Sequence, residues 1–262
     1  MRRSLTLTIL PDAAAVAERV ADRILSLAAS RARVTLGLAT GDTMRPVYER
    51  LVAAAARGAS FSGATCFNLD EYVGLAPDHP SAFAHFMHRH FFDHVDVPAP
   101  ARRFPPTAPA EDAGRYDAAI RAERGIDLQI LGVGRNGHIA FNEPGSSFGS
   151  RTRVVTLDPS TRAANASAFG GEEAVPRQAV TVGIATILDA REILAVATGR
   201  EKAGALRDAL EGPVTPDCPA SALRLHPNAS IVCDRDAACL LQGAEAARAQ
   251  DAPTGWRRCA IS

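Results

Sequence analysis

Short apolar runs alternate with alanine-rich amphipathic segments along nearly the whole chain. Runs typical of buried strands are predicted at residues 5–10, 34–38, 65–68, 126–131, 153–157, 179–182, 192–197 and 229–233. Helical patterns lie between them, at residues 12–30, 46–57, 81–92, 112–124, 159–169, 199–211 and from Asp234 onward. This alternation, without an internal repeat or a linker, predicts an α/β fold: one doubly wound, mainly parallel, modified Rossmann-like sheet with helices on both faces, forming a single domain over residues 1–262.

The segment of residues 126–150 contains several polar side chains directly after a predicted strand. Its apolar run ends in a group of glycines, and His138, Asn142 and Glu143 follow within six residues. Open α/β folds bind small molecules beyond the carboxyl ends of their strands, so these side chains are candidates for a site. The alternative is a polar loop whose histidine and glutamate are merely solvated.

The same glycines, Gly132, Gly134 and Gly137, form a GxGxxG pattern that a dinucleotide-binding loop would also contain. That motif requires a helix directly after its third glycine. Residues 142–149 read NEPGSSFG, which is a poor first helical turn because its proline comes too late. The pattern is therefore weak support for a dinucleotide site.

Two further loops could hold an anion. Thr40, Gly41, Asp42 and Thr43 stand between a strand and a helix, where backbone N–H groups can bind a phosphate. A simple turn is the alternative, and the Asp42 carboxylate would repel an anion. Lys202 lies near the start of another predicted helix and marks a second possible anion site.

Two adjacent carboxylates, Asp70 and Glu71, follow the strand at residues 65–68. One of them could act as a general base while the other caps a helix, because neighbouring side chains on an extended chain point to opposite sides. His85, His88 and His90 suggest a metal site, but no HExxH pattern or carboxylate trio accompanies them. Structural packing is the favoured interpretation of these histidines, and no metal site is predicted.

The composition narrows the class of protein. The 262 residues include 29 Lys plus Arg and 29 Asp plus Glu, so the formal net charge of zero argues against nucleic-acid and anionic-membrane binding. Five cysteines without a CxxC pair favour free thiols in a reducing compartment over disulfides or zinc. No uninterrupted apolar run is long enough to cross a membrane, and the first residues do not resemble a signal peptide. We therefore expect a cytoplasmic protein.

Several long motifs resemble the glucosamine-6-phosphate deaminase family, also called glucosamine-6-phosphate isomerase. They are LGLATGDT, CFNLDEYVGL, HPSAFAHFMHRHFFDHVD, GVGRNGHIAFNEPGSSFGSRTRVVTL, AVTVGIATILDA and ASALRLHP. The Asn-Gly-His form of the central loop is similar to the Bacillus-type branch. The resemblance implies aldose–ketose isomerisation of an amino-sugar phosphate with loss of the amine, giving fructose 6-phosphate and ammonia in amino-sugar catabolism. It implies no metal or redox cofactor, and it leaves the oligomeric state open.

Roles for individual residues follow from the same resemblance. Asp70 would move the C2 proton of the sugar to C1, which a carboxylate within hydrogen-bond reach can do. His138 would open the sugar ring, with Glu143 and Asn136 as its supporting pair. The phosphate of the substrate would be bound by Thr40, Gly41, Asp42, Thr43 and Lys202.

The chain departs from the family pattern around that phosphate. Asp42 and Met44 replace the usual small residue and proline of the loop, and Ser167 stands where most members have an arginine that contacts the phosphate. Arg45 could compensate, or the substrate could be an amino sugar with a different C6 group.

Two other classes of protein remain as alternatives. A 6-phosphogluconolactonase-like hydrolase would share the fold and a similar Gly-His loop, but it would lack the Phe-Asn-Glu-Pro sequence at residues 141–144. A sugar-binding regulator without catalysis would be expected to have lost Asp70, His138 or Glu143, and all three are present.

Overall fold

A computed structural model describes residues 5–107, 113–242 and 259–260. Its strands are β1 (Thr6–Leu10), β2 (Val34–Leu38), β3 (Ala64–Asn68), β4 (Asp70–Tyr72), β5 (Arg102–Arg103), β6 (Leu128–Gly132), β7 (Arg153–Thr156), β8 (Gln178–Thr181), β9 (Ile193–Ala197), β10 (Ala229–Asp234) and β11 (Cys259–Ala260). Its α-helices are α1 (Ala13–Ser30), α2 (Arg45–Ala55), α3 (Phe83–His90), α4 (Ala113–Ala122), α5 (Pro159–Phe169), α6 (Ile184–Leu188) and α7 (Ala203–Glu211).

The main sheet has eight strands in the order β11-β1-β10-β9-β6-β2-β3-β5. All neighbouring pairs are parallel except β1 with β11. Every residue of β2 and β9 is buried, which explains their continuous apolar sequences, since parallel strands are covered on both faces. The predicted α/β fold with a mainly parallel sheet is confirmed.

The chain changes direction across the sheet between β2 and β6. Strand β2 leads outward to β3 and β5, whereas β6 leads to β9 and β10 on the other side. Ligands of open α/β sheets bind at such a reversal, in the crevice outside the carboxyl ends of the strands. The loops after β2 and β6 are the two that contain most of the candidate residues.

A second sheet was not apparent from the sequence. It has three antiparallel strands in the order β4-β8-β7, and Asp70 of β4 stands opposite Thr181 of β8. The segments at residues 153–157 and 179–182 are strands as expected, but they belong to this second sheet. Backbone hydrogen bonds from Leu69 N to Leu38 O (3.2 Å) and from Val182 N to Leu69 O (2.7 Å) join the two sheets.

The ends of the helices mostly follow the predicted signals. Asp12 caps α1 by accepting the Ala15 N–H at 2.9 Å, as its sequence position indicated. The helix predicted after Asp234 is wrong for residues 235–242, which form turns, and its remainder lies outside the described residues. The Asp234 carboxylate accepts the Ala237 N–H at 2.8 Å. Both of its oxygens also accept the Gly199 N–H, so the carboxylate connects the loop after β10 with the loop after β9. No helix in the described ranges is long and apolar enough to span a membrane.

Candidate functional site

The loop of residues 133–144, which follows β6, folds back on itself so that an imidazole lies against its glycines. Gly134 N donates to His138 O at 2.9 Å, and Gly137 N donates to Gly134 O at 3.1 Å. Gly137 has a φ of +82°, a conformation that favours glycine. A Cβ atom on Gly134 would lie 2.3 Å from His138 Nε2, so only glycine leaves room for the ring.

No helix follows these glycines within residues 138–150, so the GxGxxG pattern does not begin a dinucleotide-binding helix. Two of its three glycines instead serve the turn that positions His138. The third, Gly132, has open space where a Cβ would lie.

Glu143 lies at the centre of a hydrogen-bonded group next to that imidazole. Its Oε2 atom accepts a hydrogen bond from Asn136 Nδ2 at 2.9 Å and lies 3.5 Å from His138 Nδ1. Its Oε1 atom accepts the hydroxyl of Thr161. Burial would raise the pKa of Glu143, but the interactions with His138, Thr161 and Asn136 outweigh it and lower the pKa to about 2. Glu143 is therefore a carboxylate at neutral pH.

Asp70 occupies a contrasting environment. Its exposed fraction is 8%. Burial raises its pKa to about 8, with a smaller contribution from the neighbouring Glu71. A carboxyl group with a pKa close to the working pH suits proton exchange with a carbon acid better than an ordinary aspartate does.

Asp70 is linked to the loop of residues 133–144 through the second sheet. Thr181, its antiparallel partner, accepts the Phe141 N–H with its hydroxyl at 3.1 Å. Asn142 Nδ2 donates to Val182 O at 2.8 Å, next to Thr181. The strand that carries the buried carboxyl is thus attached to the loop that carries the imidazole.

Glu71 has the capping role that was the alternative for one of the two carboxylates. It accepts the backbone N–H groups of Tyr72 (2.9 Å), Phe83 (3.0 Å) and Ala84 (2.8 Å), the last two in the first turn of α3. Two of the four unpaired N–H groups at the start of that helix are satisfied in this way. The structure thus separates the two adjacent carboxylates, one as a cap and the other available for chemistry.

We expect Glu71→Ala to lower the free energy of unfolding by about 2–4 kcal/mol, because two buried N–H groups and one partly buried N–H group lose their acceptor. Glu71→Gln keeps one acceptor oxygen and should cost about half as much. Thermal unfolding of the purified variants measures the difference. Asp12→Ala, which removes a single exposed cap bond, is the matched control with an expected cost of about 1 kcal/mol; a Glu71→Ala cost no larger than this would contradict the capping role.

The loop after β2 has the turn expected of an anion-binding segment. Gly41 has a φ of +105°, and Met44 N donates to Gly41 O at 3.0 Å just before α2 begins. Met44 is fully buried, which accounts for an apolar residue at this position of the loop. The Asp42 side chain is 91% exposed and forms an ion pair with Arg45. The charge of Asp42 is thereby balanced, and the guanidinium of Arg45 is paired with Asp42.

Lys202 follows β9 in a 3₁₀ turn that precedes α7. Burial lowers the pKa of its ammonium group; the charge of Glu201 opposes this shift, and that of Arg135 adds to it. Arg135, in the loop after β6, therefore lies close enough to Lys202 to repel it. No sequence motif pointed to Arg135, which adds a second cation near this loop.

Four groups of predicted residues follow the carboxyl ends of four neighbouring strands of the main sheet. The strands β9, β6, β2 and β3 are neighbours in that order, and their carboxyl ends lead to Lys202, His138, Thr40 and Asp70 respectively. Ser167, at the position of the expected arginine, is exposed on α5.

Other titratable groups lie elsewhere. His88 Nδ1 pairs with Asp93 at 2.8 Å, and the His90 ring packs 4.5 Å from the Phe86 ring. Within the described ranges no group of three or more metal-binding side chains occurs. A groove of about 880 Å³ at the opposite edge of the sheet contains Arg31 and Arg191, which both bind Asp127, and none of the predicted site residues.

An α/β fold with a buried carboxyl, an imidazole and an ionised carboxylate beyond the carboxyl ends of its strands is typical of enzymes. Such groups suit acid–base chemistry on a small molecule. The chain matches the family of Glucosamine-6-phosphate isomerases/6-phosphogluconolactonase over residues 12–232. It belongs to that family.

Relatives and solved structures support this membership. The chain is 49% identical over 237 residues to the glucosamine-6-phosphate deaminase of Rhodopirellula baltica, covering 89% of this chain and 94% of that one. It is 45% identical over 231 residues to the enzyme of the same name from a Geobacillus species, covering 86% of this chain and 92% of that one. The structure of a monomeric glucosamine-6-phosphate deaminase superposes with a TM-score of 0.88 at 38% identity, over 90% of this chain and 100% of that one. A 6-phosphogluconolactonase from Trypanosoma cruzi (18% identity, TM-score 0.74, 92% of this chain and 98% of that one) shares the fold.

Proposed function

We propose that this enzyme converts glucosamine 6-phosphate and water to fructose 6-phosphate and ammonia. The observation that carries the proposal is that a buried carboxyl of raised pKa and an imidazole beside an ionised glutamate both follow carboxyl ends of strands in the main sheet. The names of the relatives that cover most of the chain support the same reaction.

The two halves of this site suit the two steps of such a reaction. His138 exchanges a proton with the ring oxygen as the sugar opens, and Glu143 stabilises the imidazolium that forms. Asp70 then takes the proton from C2 and returns it to C1, which turns the amino aldose into a ketose imine equivalent that water cleaves to the ketone and ammonia. Asn136 fixes one oxygen of Glu143 by its 2.9 Å hydrogen bond.

The phosphate group is assigned to the loop of Thr40, Gly41 and Thr43 together with Lys202. Asp42 does not oppose this assignment, because its side chain is turned to solvent and paired with Arg45. Lys202 is half-buried and lies near Arg135, so two cations are available to bind the anion although Ser167 stands at the position of the family arginine. These features favour a phosphorylated sugar over an amino sugar with a neutral C6 group.

Ammonia release from glucosamine 6-phosphate tests the proposal, with glucosamine and galactosamine 6-phosphate run alongside. Efficient turnover of the first substrate establishes the deaminase. Turnover of glucosamine alone would support the same mechanism but would show that the substrate is an unphosphorylated sugar. Absence of ammonia from every amino sugar would reject the deaminase reaction.

We expect Lys202→Met to raise KM for glucosamine 6-phosphate about 10- to 100-fold, the usual worth of one hydrogen bond to a charged group. The rate with unphosphorylated glucosamine should change less than about 3-fold, since that substrate offers no anion to the ammonium. Steady-state kinetics on the two sugars measures the difference. Arg207→Met, on the exposed part of α7 where Arg207 pairs with Asp208, is the matched control; equal losses on the two sugars would argue against phosphate binding by Lys202.

A cytoplasmic location and an amino-sugar phosphate as substrate are part of the same proposal. Cys66, Cys218, Cys233 and Cys239 are free thiols. Together with the absence of a membrane-spanning helix among the described residues, they suit a cytoplasmic enzyme acting on an amino-sugar phosphate.

A further inference from the structure

Among the described residues, Thr161 is the one hydrogen-bond partner of the Glu143 carboxylate that comes from outside the loop of residues 133–144. It lies in the first turn of α5, its exposed fraction is 6%, and its hydroxyl donates to Glu143 Oε1. The Glu143 side chain is itself only 14% exposed. A hydroxyl and a carboxylate that are both removed from water interact more strongly than an exposed pair does.

The two oxygens of Glu143 have different partners. Oε1 is held by Thr161, whereas Oε2 accepts the hydrogen bond of Asn136 Nδ2 and lies 3.5 Å from His138 Nδ1, a buried atom that has no hydrogen-bond partner within the described ranges. The terminal torsion of a glutamate is broad and roughly two-fold, so a carboxylate held at one oxygen only can turn about that torsion. With Thr161 in place, Oε2 is kept towards the imidazole.

Helix α5 also contacts the strand that carries the proposed base. The Phe169 ring at its end packs 5.2 Å from the ring of Tyr72, which lies in β4 with Asp70. Ser81 Oγ donates to Ala168 O at 2.6 Å. The helix therefore contacts Glu143 at its first turn and the strand that carries Asp70 at its last turn.

We propose that Thr161 is a positioning residue of the reaction: its hydroxyl holds Glu143 so that Oε2 faces His138 Nδ1, which keeps the imidazole proton on Nδ1 and leaves Nε2 free for the substrate. A glutamate beside one ring nitrogen selects the tautomer with the proton on that nitrogen. The low pKa of Glu143, to which the Thr161 hydrogen bond contributes, keeps this acceptor ionised. Thr161 touches no reacting atom in this scheme and acts through Glu143.

The test compares Thr161→Val, which keeps the shape and removes the hydroxyl, with Thr161→Ser, which keeps the hydroxyl. We expect Thr161→Val to lower kcat with glucosamine 6-phosphate about 10- to 100-fold, with KM changed less than about 3-fold. Thr161→Ser should retain kcat within about 3-fold. Thr186→Val is the matched control, because buried Thr186 likewise donates its hydroxyl to a carboxylate, Asp117, at 2.8 Å; we expect its kcat to stay within about 3-fold of the wild type.

A second readout does not depend on activity. The proposal uses the deaminase reaction, so nitrogen-15 NMR of histidine-labelled enzyme is recorded without substrate, and His138 is assigned among the seven histidines from the spectrum of His138→Gln. The wild type and Thr161→Ser should show the Nδ1–H tautomer of the neutral ring. Thr161→Val should show a mixture of the two tautomers. An inactive wild type would reject the proposed function while this spectrum still decides the role of Thr161.

Three results would overturn the proposal. They are a Thr161→Val enzyme with wild-type kcat and tautomer, a loss of kcat without a change of tautomer, and equal losses in the valine and serine variants. If Thr161→Val does not fold, Thr161→Ala is measured against the same criteria.

Discussion

Replacing Asp70 by Asn should lower kcat for ammonia release from glucosamine 6-phosphate by about 10²- to 10⁴-fold, the range that general acid–base groups supply. An amide of the same shape cannot take the C2 proton. The variant should still fold and bind substrate, because the asparagine replaces a buried carboxyl that is mostly protonated at neutral pH. A residual rate within 10-fold of the wild type, at unchanged folding, would assign the proton transfer to another group.

Because the pKa of Asp70 is raised, the same substitution should also change how the stability of the protein depends on pH. The folded protein keeps the proton up to a pH of about 8, whereas the unfolded chain releases it near the ordinary aspartate value. The stability associated with the protonated carboxyl is therefore complete below about pH 4 and is lost as the pH rises to about 8. The wild type should lose stability relative to Asp70→Asn by roughly 3–4 kcal/mol between pH 5 and pH 8.

Chemical denaturation of both proteins at several pH values measures this difference. The rate should follow the opposite course, because only the ionised carboxylate is a base. The value of kcat/KM of the wild type should rise with pH until about 8, with its acid limb set by Asp70. A stability difference that is constant with pH would show that Asp70 is ionised in the folded protein.

Gly134→Ala should lower kcat by at least about 100-fold, because a methyl group would lie 2.3 Å from His138 Nε2 and force the ring away from Glu143. The side chain of His138 can turn aside more easily than the backbone can move, so the fold should persist. Steady-state kinetics together with circular dichroism separates the loss of catalysis from unfolding.

Gly132→Ala is the control for this substitution within the same glycine pattern. Nothing lies within 4 Å of a Cβ at Gly132, so its rate should stay within about 3-fold of the wild type. Equal effects at the two positions would mean that the loop needs its glycines for the backbone rather than for the imidazole.

The sequence predicted most of the main sheet because its signals are local. The continuous apolar runs of β2 and β9 and the Asp12 cap each depend on neighbouring residues, and all appear where expected. The order of the loops also placed Asp70, His138 and Lys202 correctly at carboxyl ends of strands. Their proposed roles come from the family resemblance and from the geometry together.

The remaining features depend on contacts between distant parts of the chain. Strand β4 has only three residues, DEY, and its pairing with β8 leaves no periodic pattern in so short a segment. Thr161 near the start of a helix suggests only a capping residue, whereas its hydroxyl reaches Glu143. Neither partner could be deduced without the folded backbone.

The two sheets join at Leu69, and the residues proposed for binding and catalysis are divided between them. The phosphate loop, Lys202 and the imidazole belong to the main sheet, and the proposed base belongs to the small antiparallel sheet. A substitution in one sheet can therefore alter the proposed phosphate binding or the proposed proton transfer without changing the strand pairing of the other sheet. The same fold occurs in a 6-phosphogluconolactonase at 18% identity, and a fold by itself does not determine the reaction of the site that it carries.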